Sequence, residues 1–130
     1  MPTEACFDTR FFYELFLNED TEIVGKLREI NRNCAKRHVS VITIHELTKE
    51  LIEQKGKTLA NAILKQIRME YIVHDVTEDI AVRSAELRVH HKIPLADAVI
   101  AATGILIDVP TCTDDPHFSE MPKSRPFWLK

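Results

Sequence analysis

The sequence predicts one α/β domain, a three-layer sandwich in which a short parallel sheet of four to five strands carries helices on both faces. Short apolar segments that suit strands alternate along the chain with segments of helical periodicity, and this alternation is typical of parallel sheets. Residues 95–102 are apolar on every side except at Asp97, which is the pattern of a helix buried in a core. The length of 130 residues fits a single domain over residues 1–130.

Composition excludes several classes of protein. With 45% hydrophobic and 28% charged residues, the chain is typical of a folded globular protein. The net charge of −3 does not indicate a nucleic-acid binder, but two bound divalent cations would change it to about +1. The longest apolar run, residues 93–107, is too short for a membrane span, and no signal peptide is expected. Cys6, Cys34 and Cys112 are odd in number and far apart, which predicts buried, reduced thiols in a cytoplasmic protein without membrane contact.

Four segments are predicted to form the strands, with a fifth at the edge. They are residues 4–7, 39–42, 71–74 and 109–113, and the tail at residues 126–129 is expected to add a short edge strand. The helices between them follow from apolar residues at helical spacing and from residues that begin or end helices. They are predicted after Thr9, after the turn at residues 18–21, from Thr43 to Gly56, over residues 58–69, from Thr77 through Leu87, and from Pro94 to about Gly104.

Carboxylates follow the predicted strands at the points where function gathers in parallel sheets. Asp8 ends the first strand, and Glu46 follows the second within one helical turn. Asp114 and Asp115 follow the fourth strand, and Asp97 lies in the helix that leads into it. Because ligands bind at the carboxyl ends of parallel strands, these acids are expected to converge on one crevice.

Each acid also has an ordinary structural interpretation. Asp8 could cap the next helix, and Thr43 with Glu46 matches a capping box. Asp97 could complement the dipole of its helix, and the two aspartates after the fourth strand could be turn residues. These roles do not explain why all the acids occupy one edge. Carboxylates placed together repel one another unless they are protonated or bridged by a metal, and such oxygen ligands suit Mg²⁺ or Mn²⁺.

Four short motifs occur along the chain, each around one of the acids. They are Cys6-Phe-Asp8-Thr9, Ile44-His-Glu46-Leu47, Leu95-Ala-Asp97-Ala-Val-Ile-Ala-Ala102 and Thr113-Asp-Asp115-Pro-His-Phe118. With them the chain resembles a PIN domain over nearly its whole length, and it is most similar to the small VapC-type toxin ribonucleases. The resemblance implies a catalytic metal site formed by four acids, Asp8, Glu46, Asp97 and Asp115.

The resemblance also implies the surroundings of this site. Thr113 matches the hydroxyl residue that accompanies the last acid, and Asp115 is a better match to that acid than Asp114. Thr9 and Asp114 are therefore accessory candidates. Arg10 is a departure from the family pattern, since relatives more often carry a small polar residue there.

The activity implied is that of an endoribonuclease dependent on Mg²⁺, with Mn²⁺ as the alternative ion, that leaves a 5′-phosphate and a 3′-hydroxyl. The expected partners are an RNA substrate, an antitoxin protein and a second copy of the chain in a homodimer. The alternatives are a PIN-domain nuclease of RNA processing, a non-catalytic RNA-binding scaffold, and a phosphatase or DNA nuclease. A receiver-like module built on Asp8, Asp114 and Asp115 is also open, although it would need Lys123 in place of the usual lysine.

Two basic groups of residues have both an ordinary and a functional interpretation. The first is a polar stripe on one predicted helix, Lys57, Asn61, Lys65 and Arg68. The second is the run Arg88, His90, His91 and Lys92. Each can be a solvated or dipole-complementing set of charges, or a surface that contacts RNA phosphates. His45 and His117 flank the acids but have no second histidine at ligand spacing, so transition-metal binding is not expected.

Overall fold

A five-stranded parallel sheet lies at the centre of the computed structural model, which describes residues 2–130. Its strands are β1 (Glu4–Phe7), β2 (Lys36–Ser40), β3 (Ile72–His74), β4 (Thr111–Thr113) and β5 (Phe127–Trp128). The order across the sheet is β3-β2-β1-β4-β5, and every neighbouring pair is parallel. The predicted α/β sandwich is confirmed, and β5 is the edge strand expected from the tail.

Helices connect the strands and cover both faces of the sheet. They are α1 (Thr9–Leu17), α2 (Thr21–Asn33), α3 (Val41–Lys55), α4 (Lys57–Glu70), α5 (Glu78–Val89) and α6 (Leu95–Leu106). Two 3₁₀ turns, Pro116–Glu120 and Pro122–Ser124, lie between β4 and β5. None of the helices within residues 2–130 combines the length and the apolar composition needed to cross a bilayer.

The alternation of side chains in β1 divides the core into two layers. Ala5 and Phe7 point into a cluster that also contains buried residues of α1, α2, α3 and α4. In this layer the rings of Phe7 and Phe11 meet edge to face with centroids 4.7 Å apart. Cys6 points to the opposite face and packs with buried residues of α6. Since successive side chains of a strand point to opposite faces, three consecutive residues of β1 contact the helical layers on both faces of the sheet.

Several element boundaries differ from the predicted ones. The second strand lies at Lys36–Ser40 instead of residues 39–42, because the Ser40 hydroxyl accepts from the Ile42 backbone N–H at 3.2 Å and begins α3. Tyr71 is the C-cap of α4 and does not belong to β3, since its N–H donates to the Ile67 carbonyl at 2.8 Å. Residues 109 and 110 precede β4 for a similar reason, with the residue 109 N–H bonded to the Gly104 carbonyl at 2.9 Å.

Two helix starts and one burial expectation also need correction. Asp8 occupies the cap position of α1 and Thr9 is its first residue, whereas Pro94 occupies the cap of α6 instead of its first position. The α6 helix is buried over residues 98–104, but Leu95 at its start is 57% exposed, so the helix is not enclosed on all sides. Its close approach to the sheet depends on Gly104, where an added Cβ would lie 3.0 Å from a threonine hydroxyl.

The three cysteines are buried, as expected, and none forms a disulfide within the described chain. Burial raises the pKa of the Cys6 thiol to about 12, which keeps it protonated. These thiols therefore contribute to the core as small apolar side chains.

Candidate metal site

The four acids of the predicted site come from four different elements. Asp8 directly follows β1, and Asp115 lies two residues after β4, its neighbour in the sheet. Glu46 is in the second turn of α3, and Asp97 is in the first turn of α6. The structure therefore places them at the carboxyl ends of the central strands, where the parallel topology predicts them to be.

Asp8 and Asp115 are linked by one hydroxyl. Thr113 Oγ1 donates to Asp8 Oδ2 at 2.7 Å and accepts from the backbone N–H of Asp115 at 3.0 Å. Asp8 is 1% exposed, and its side chain makes no capping hydrogen bond to α1 among the described residues. The capping interpretation of Asp8 is therefore wrong for its carboxylate, which points across the sheet toward β4.

Glu46 is held by the hydroxyl of Thr9. Since α3 begins at Val41, Thr43 and Glu46 lie inside the helix, and the capping-box interpretation is wrong. Glu46 Oε1 accepts from Thr9 Oγ1 at 2.7 Å, and the Thr43 hydroxyl lies 3.0 Å from that of Thr9. Because Thr9 adjoins Asp8 in sequence, this contact brings the start of α3 to the end of β1.

Asp97 and Asp115 meet around the imidazole of His117. His117 Nδ1 lies 2.8 Å from Asp115 Oδ1 and 3.6 Å from Asp97 Oδ2. Asp115 Oδ1 also accepts from the His117 backbone N–H at 2.9 Å, so Asp115 does cap the following 3₁₀ turn. One ligand atom from each residue lies within 4.8 Å of the other two. Asp97 Oδ2 is buried and has no hydrogen-bond partner within residues 2–130.

His117 is the member of this cluster that sequence reasoning missed. His117 has no second histidine at ligand spacing in the sequence, and its partners in the structure are two carboxylates. Its spacing of two residues from Asp115 was a local signal, since both follow β4 directly. The contact with Asp97 joins separate elements and has no local signal.

Asp114 has a different environment from its neighbour. Its carboxylate accepts from Arg10 Nε at 2.5 Å and from Arg10 Nη2 at 3.2 Å, and Lys130 Nζ lies at 3.4 Å. The Asp114 side chain is only 2% exposed, and two cations neutralise its charge. A bidentate pair of this kind orients a carboxylate firmly. The choice of Asp115 over Asp114 as a ligand stays a prediction, and this geometry favours it.

Burial and mutual repulsion change the acidity of the site. The pKa of Asp8 rises from 3.8 to about 7, mainly because of burial, with the Thr113 hydrogen bond opposing the rise. The pKa of Asp97 also rises to about 7, through burial and then through the charge of Asp115. Both carboxyls therefore resist ionisation unless a positive charge compensates them. Oxygen ligands together with the unpartnered Asp97 Oδ2 fit a hard divalent cation such as Mg²⁺ or Mn²⁺.

A groove with basic side chains adjoins the cluster at His117. It has a volume of about 620 Å³, and its lining includes Arg88, His91, Lys92 and His117. Arg88 Nε donates to the Ile93 carbonyl at 2.8 Å, which fixes the guanidinium at the groove. Because His117 lines the same groove, the basic run that contains Arg88 lies next to the site. The sequence did not indicate this proximity.

The polar stripe lies on α4. Lys57, Asn61, Lys65 and Arg68 are all exposed, as a solvated face requires. The helix buries its opposite face in the core through Ile63 and Ile67. A role of the stripe in contacting RNA stays a prediction.

Comparison with known protein families shows which family has this fold. The family model described as "PIN domain" matches residues 5–124. The chain belongs to the PIN domain family. The resemblance carried by the four short motifs is thereby confirmed, and the PIN fold accounts for the order of the five strands.

Solved structures with this PIN fold include toxins of toxin–antitoxin pairs. A toxin–antitoxin complex from Klebsiella pneumoniae is 24% identical, with 92% of this chain and 94% of that chain covered and a TM-score of 0.75. A DNA-bound VapBC from Salmonella typhimurium is 18% identical, with coverages of 95% and 96% and a TM-score of 0.78. A sarcin–ricin loop cleaving VapC toxin from Mycobacterium tuberculosis is 21% identical, with coverages of 91% and 95% and a TM-score of 0.77. At these identities the likeness establishes the fold, and no curated protein matches the chain.

Proposed function

We propose that this PIN domain is a metal-dependent endoribonuclease and the toxin of a toxin–antitoxin pair. The observation that carries the proposal is the buried, unpartnered oxygen of Asp97, which lies in a cluster with Asp115. Asp8 is connected to Asp115 through the Thr113 hydroxyl, and, in addition to burial, the charge of Glu46 contributes to the raised pKa of Asp97. An unpaired buried carboxylate oxygen is costly, and a cation is the partner that this set of donors fits.

At such a site two acids would bind the cation, and two hydroxyls orient the other two acids. Asp97 and Asp115 would hold Mg²⁺ or Mn²⁺, which when bound supplies an activated water and positive charge for the phosphate. The Thr113 hydroxyl orients Asp8 and the Thr9 hydroxyl orients Glu46, so neither carboxylate has to reorganise when RNA binds. Cleavage by water in this way would leave a 5′-phosphate and a 3′-hydroxyl.

RNA is the substrate that we propose for this site. The Mycobacterium tuberculosis neighbour is a toxin that cleaves the sarcin–ricin loop, which favours RNA for this chain as well. The groove beside the acids offers Arg88 and Lys92 to the phosphates that flank the cleaved bond. Such contacts position a strand without reading its sequence.

The proposed partner is an antitoxin protein. The neighbours in Klebsiella pneumoniae and Salmonella typhimurium were solved as toxin–antitoxin assemblies, and the second is bound to DNA. We propose that an antitoxin keeps this nuclease inactive. We also propose that the chain forms a homodimer and that it is located in the cytoplasm. Co-expression with the product of an adjacent small gene would test the first, and light scattering would test the second.

The activity is tested on RNA and DNA oligonucleotides in Mg²⁺, in Mn²⁺ and in EDTA, with the ends of the products analysed. We expect cleavage of RNA only with metal, and its near-abolition by Asp97→Asn and by Asp115→Asn. Asp75→Asn is the matched control, because Asp75 is an exposed aspartate outside the site. Cleavage that persists in EDTA and in Asp97→Asn would overturn the proposal. RNA binding without cleavage would support the scaffold alternative, and cleavage of DNA alone would support a DNA nuclease.

The path of the RNA is tested by two paired variants. Arg88→Ala with Lys92→Ala removes charge from the groove, and Lys57→Ala with Lys65→Ala removes the same charge from the α4 stripe. We expect the groove variant to bind RNA more weakly. The magnitude of the slope of log K against log salt concentration should fall by about one to two, which corresponds to about one or two fewer released counterions. An effect confined to the stripe variant would place the RNA on α4.

A further inference from the structure

The cluster at the end of β4 contains a nitrogen donor as well as carboxylate oxygens. His117 approaches Asp97 and Asp115 through the same ring atom, Nδ1. Its side chain is 41% exposed, so the ring reaches the cluster from the open groove and not from the core. The four acids of the proposed nuclease site do not account for this residue.

The distances in the cluster are those of a coordination shell. In an octahedron with bonds of about 2.1 Å, neighbouring ligand atoms lie about 3 Å apart and opposite ones about 4 Å. His117 Nδ1 lies 2.8 Å from Asp115 Oδ1 and 3.6 Å from Asp97 Oδ2, and the set fits within 4.8 Å. Asp97 Oδ2 has no other partner within residues 2–130, so its position in the cluster is not explained by a hydrogen bond.

We propose that His117 is a metal ligand through Nδ1, and that Asp97, Asp115 and His117 together bind a first-row transition cation such as Mn²⁺ more tightly than Mg²⁺. The inference rests on the proposed metal site and extends it from its four acids to a nitrogen ligand. The imidazole binds as the neutral tautomer with its proton on Nε2, and this leaves Nδ1 free for the cation.

Metal preference follows from the donor type. Mg²⁺ is hard, takes oxygen ligands and gives up its waters reluctantly, whereas imidazole suits first-row transition cations. A site of acids alone would bind the two ions with little discrimination by ligand chemistry. One nitrogen ligand at the open side of the site shifts the preference toward Mn²⁺.

The competing explanation is that His117 only orients Asp115. In that case Nδ1 carries a proton and donates to Asp115 Oδ1, and the ring never touches the cation. The backbone N–H of His117 already holds the same oxygen at 2.9 Å, so the side chain is not required for that orientation. Direct coordination and orientation differ in whether the nitrogen nucleus couples to the bound ion.

The test uses the purified full chain, with Mn²⁺ and Mg²⁺ alone as probes and without RNA. Calorimetry measures the Kd for each ion in the wild type, in His117→Asn and in His117→Gln. Pulsed electron paramagnetic resonance of the Mn²⁺ complex detects hyperfine coupling to a directly bound ¹⁴N. His91→Asn is the matched control, because His91 lines the same groove outside the cluster. Circular dichroism verifies that each variant is folded, as expected for a residue whose side chain is 41% exposed.

We expect ¹⁴N coupling in the wild type and in His91→Asn, and its loss in both His117 variants. The Kd for Mn²⁺ should rise about tenfold or more in those variants, whereas the Kd for Mg²⁺ should change less than about threefold. Mn²⁺ binding without ¹⁴N coupling in the wild type would overturn the assignment and leave the proposed nuclease site intact. Failure of both ions to bind the wild type would instead overturn the proposed metal-dependent function, and this inference with it.

Discussion

Replacement of Asp97 by asparagine separates a metal site from an ordinary structural aspartate. Asparagine keeps the shape of the side chain and removes its charge. If the carboxylate is held near Asp115 for a cation, the charge destabilises the metal-free protein and its removal stabilises it. If Asp97 instead complements the dipole of α6, its removal destabilises the protein with or without metal.

The magnitude follows from the raised pKa of Asp97. A change in pKa from 3.8 to about 7 sets a ceiling of about 4.5 kcal/mol, at about 1.4 kcal/mol for each unit of pKa. We halve this to about 2 kcal/mol, because 15% of the side chain is exposed and water screens its charge. For a chain of this size that corresponds to a melting temperature about 6 °C higher in the variant.

The sign of the pH dependence follows from the direction of the shift. A carboxyl whose pKa is raised on folding stabilises the native state while it is protonated, and this stability is lost as the pH rises from about 4 through 7. Asp97→Asn removes that loss. The difference in melting temperature between variant and wild type should therefore be small at about pH 4 and largest above about pH 7.

Paired melting curves in EDTA and in Mg²⁺ test this reasoning. Mg²⁺ should raise the melting temperature of the wild type more than that of Asp97→Asn, since a ligand bound only by the native state stabilises it. The control is Asp75→Asn, an exposed aspartate whose loss should leave the curves unchanged within about 0.5 kcal/mol. A lower melting temperature for Asp97→Asn in EDTA, with no response of the wild type to Mg²⁺, would refute the metal-site interpretation.

Three further predictions concern the other acids and the packing of α6. Asp115→Asn should weaken Mg²⁺ binding at least about tenfold by calorimetry, whereas Asp114→Asn should retain most of it; the reverse order would assign the ligand to Asp114. Glu46→Gln should nearly abolish RNA cleavage, and adding Asp8→Asn should cost little more in rate, because residues that act as a unit are not additive; normal turnover by Glu46→Gln would remove it from the site. Gly104→Ala should lower the free energy of unfolding by about 1–3 kcal/mol in urea titrations, since its Cβ would lie 3.0 Å from a threonine hydroxyl, and unchanged stability would contradict this packing.

The sequence predicted the arrangement of the sheet better than the limits of its elements. Alternating periodicity determines that parallel strands place Asp8 and Asp115 at one edge, and this holds whatever the exact ends of the strands. The second strand was misplaced because residues 39–42 are rich in β-branched side chains, which favour a strand locally. Pairing with β1 and the cap at Ser40 decide otherwise, and both depend on tertiary structure.

The contacts inside the site were less predictable than its location. Thr43 and Glu46 have the spacing of a capping box, and the sequence alone cannot distinguish this from two positions inside a helix. The observed start of α3 at Val41 shows that both residues lie inside the helix. The pairing of Arg10 with Asp114 joins residues 104 positions apart, so no local pattern can reveal it. Distant contacts of this kind separate the two neighbouring aspartates, which the sequence could distinguish only through resemblance to a family.

Burial is the main cause of the raised pKa of both Asp8 and Asp97, but the two carboxylates differ in their hydrogen bonds. Asp8 is fully buried, but its carboxylate accepts from the Thr113 hydroxyl, so part of its need for a partner is already met. Asp97 is closer to solvent and to the charge of Asp115, and its buried oxygen has no partner within residues 2–130. A cation bound next to Asp97 would therefore supply a partner to an oxygen that has none, whereas Asp8 already has the Thr113 hydroxyl. This asymmetry, together with the nitrogen of His117, favours the end of β4 over the end of β1 as the position of the first metal ion.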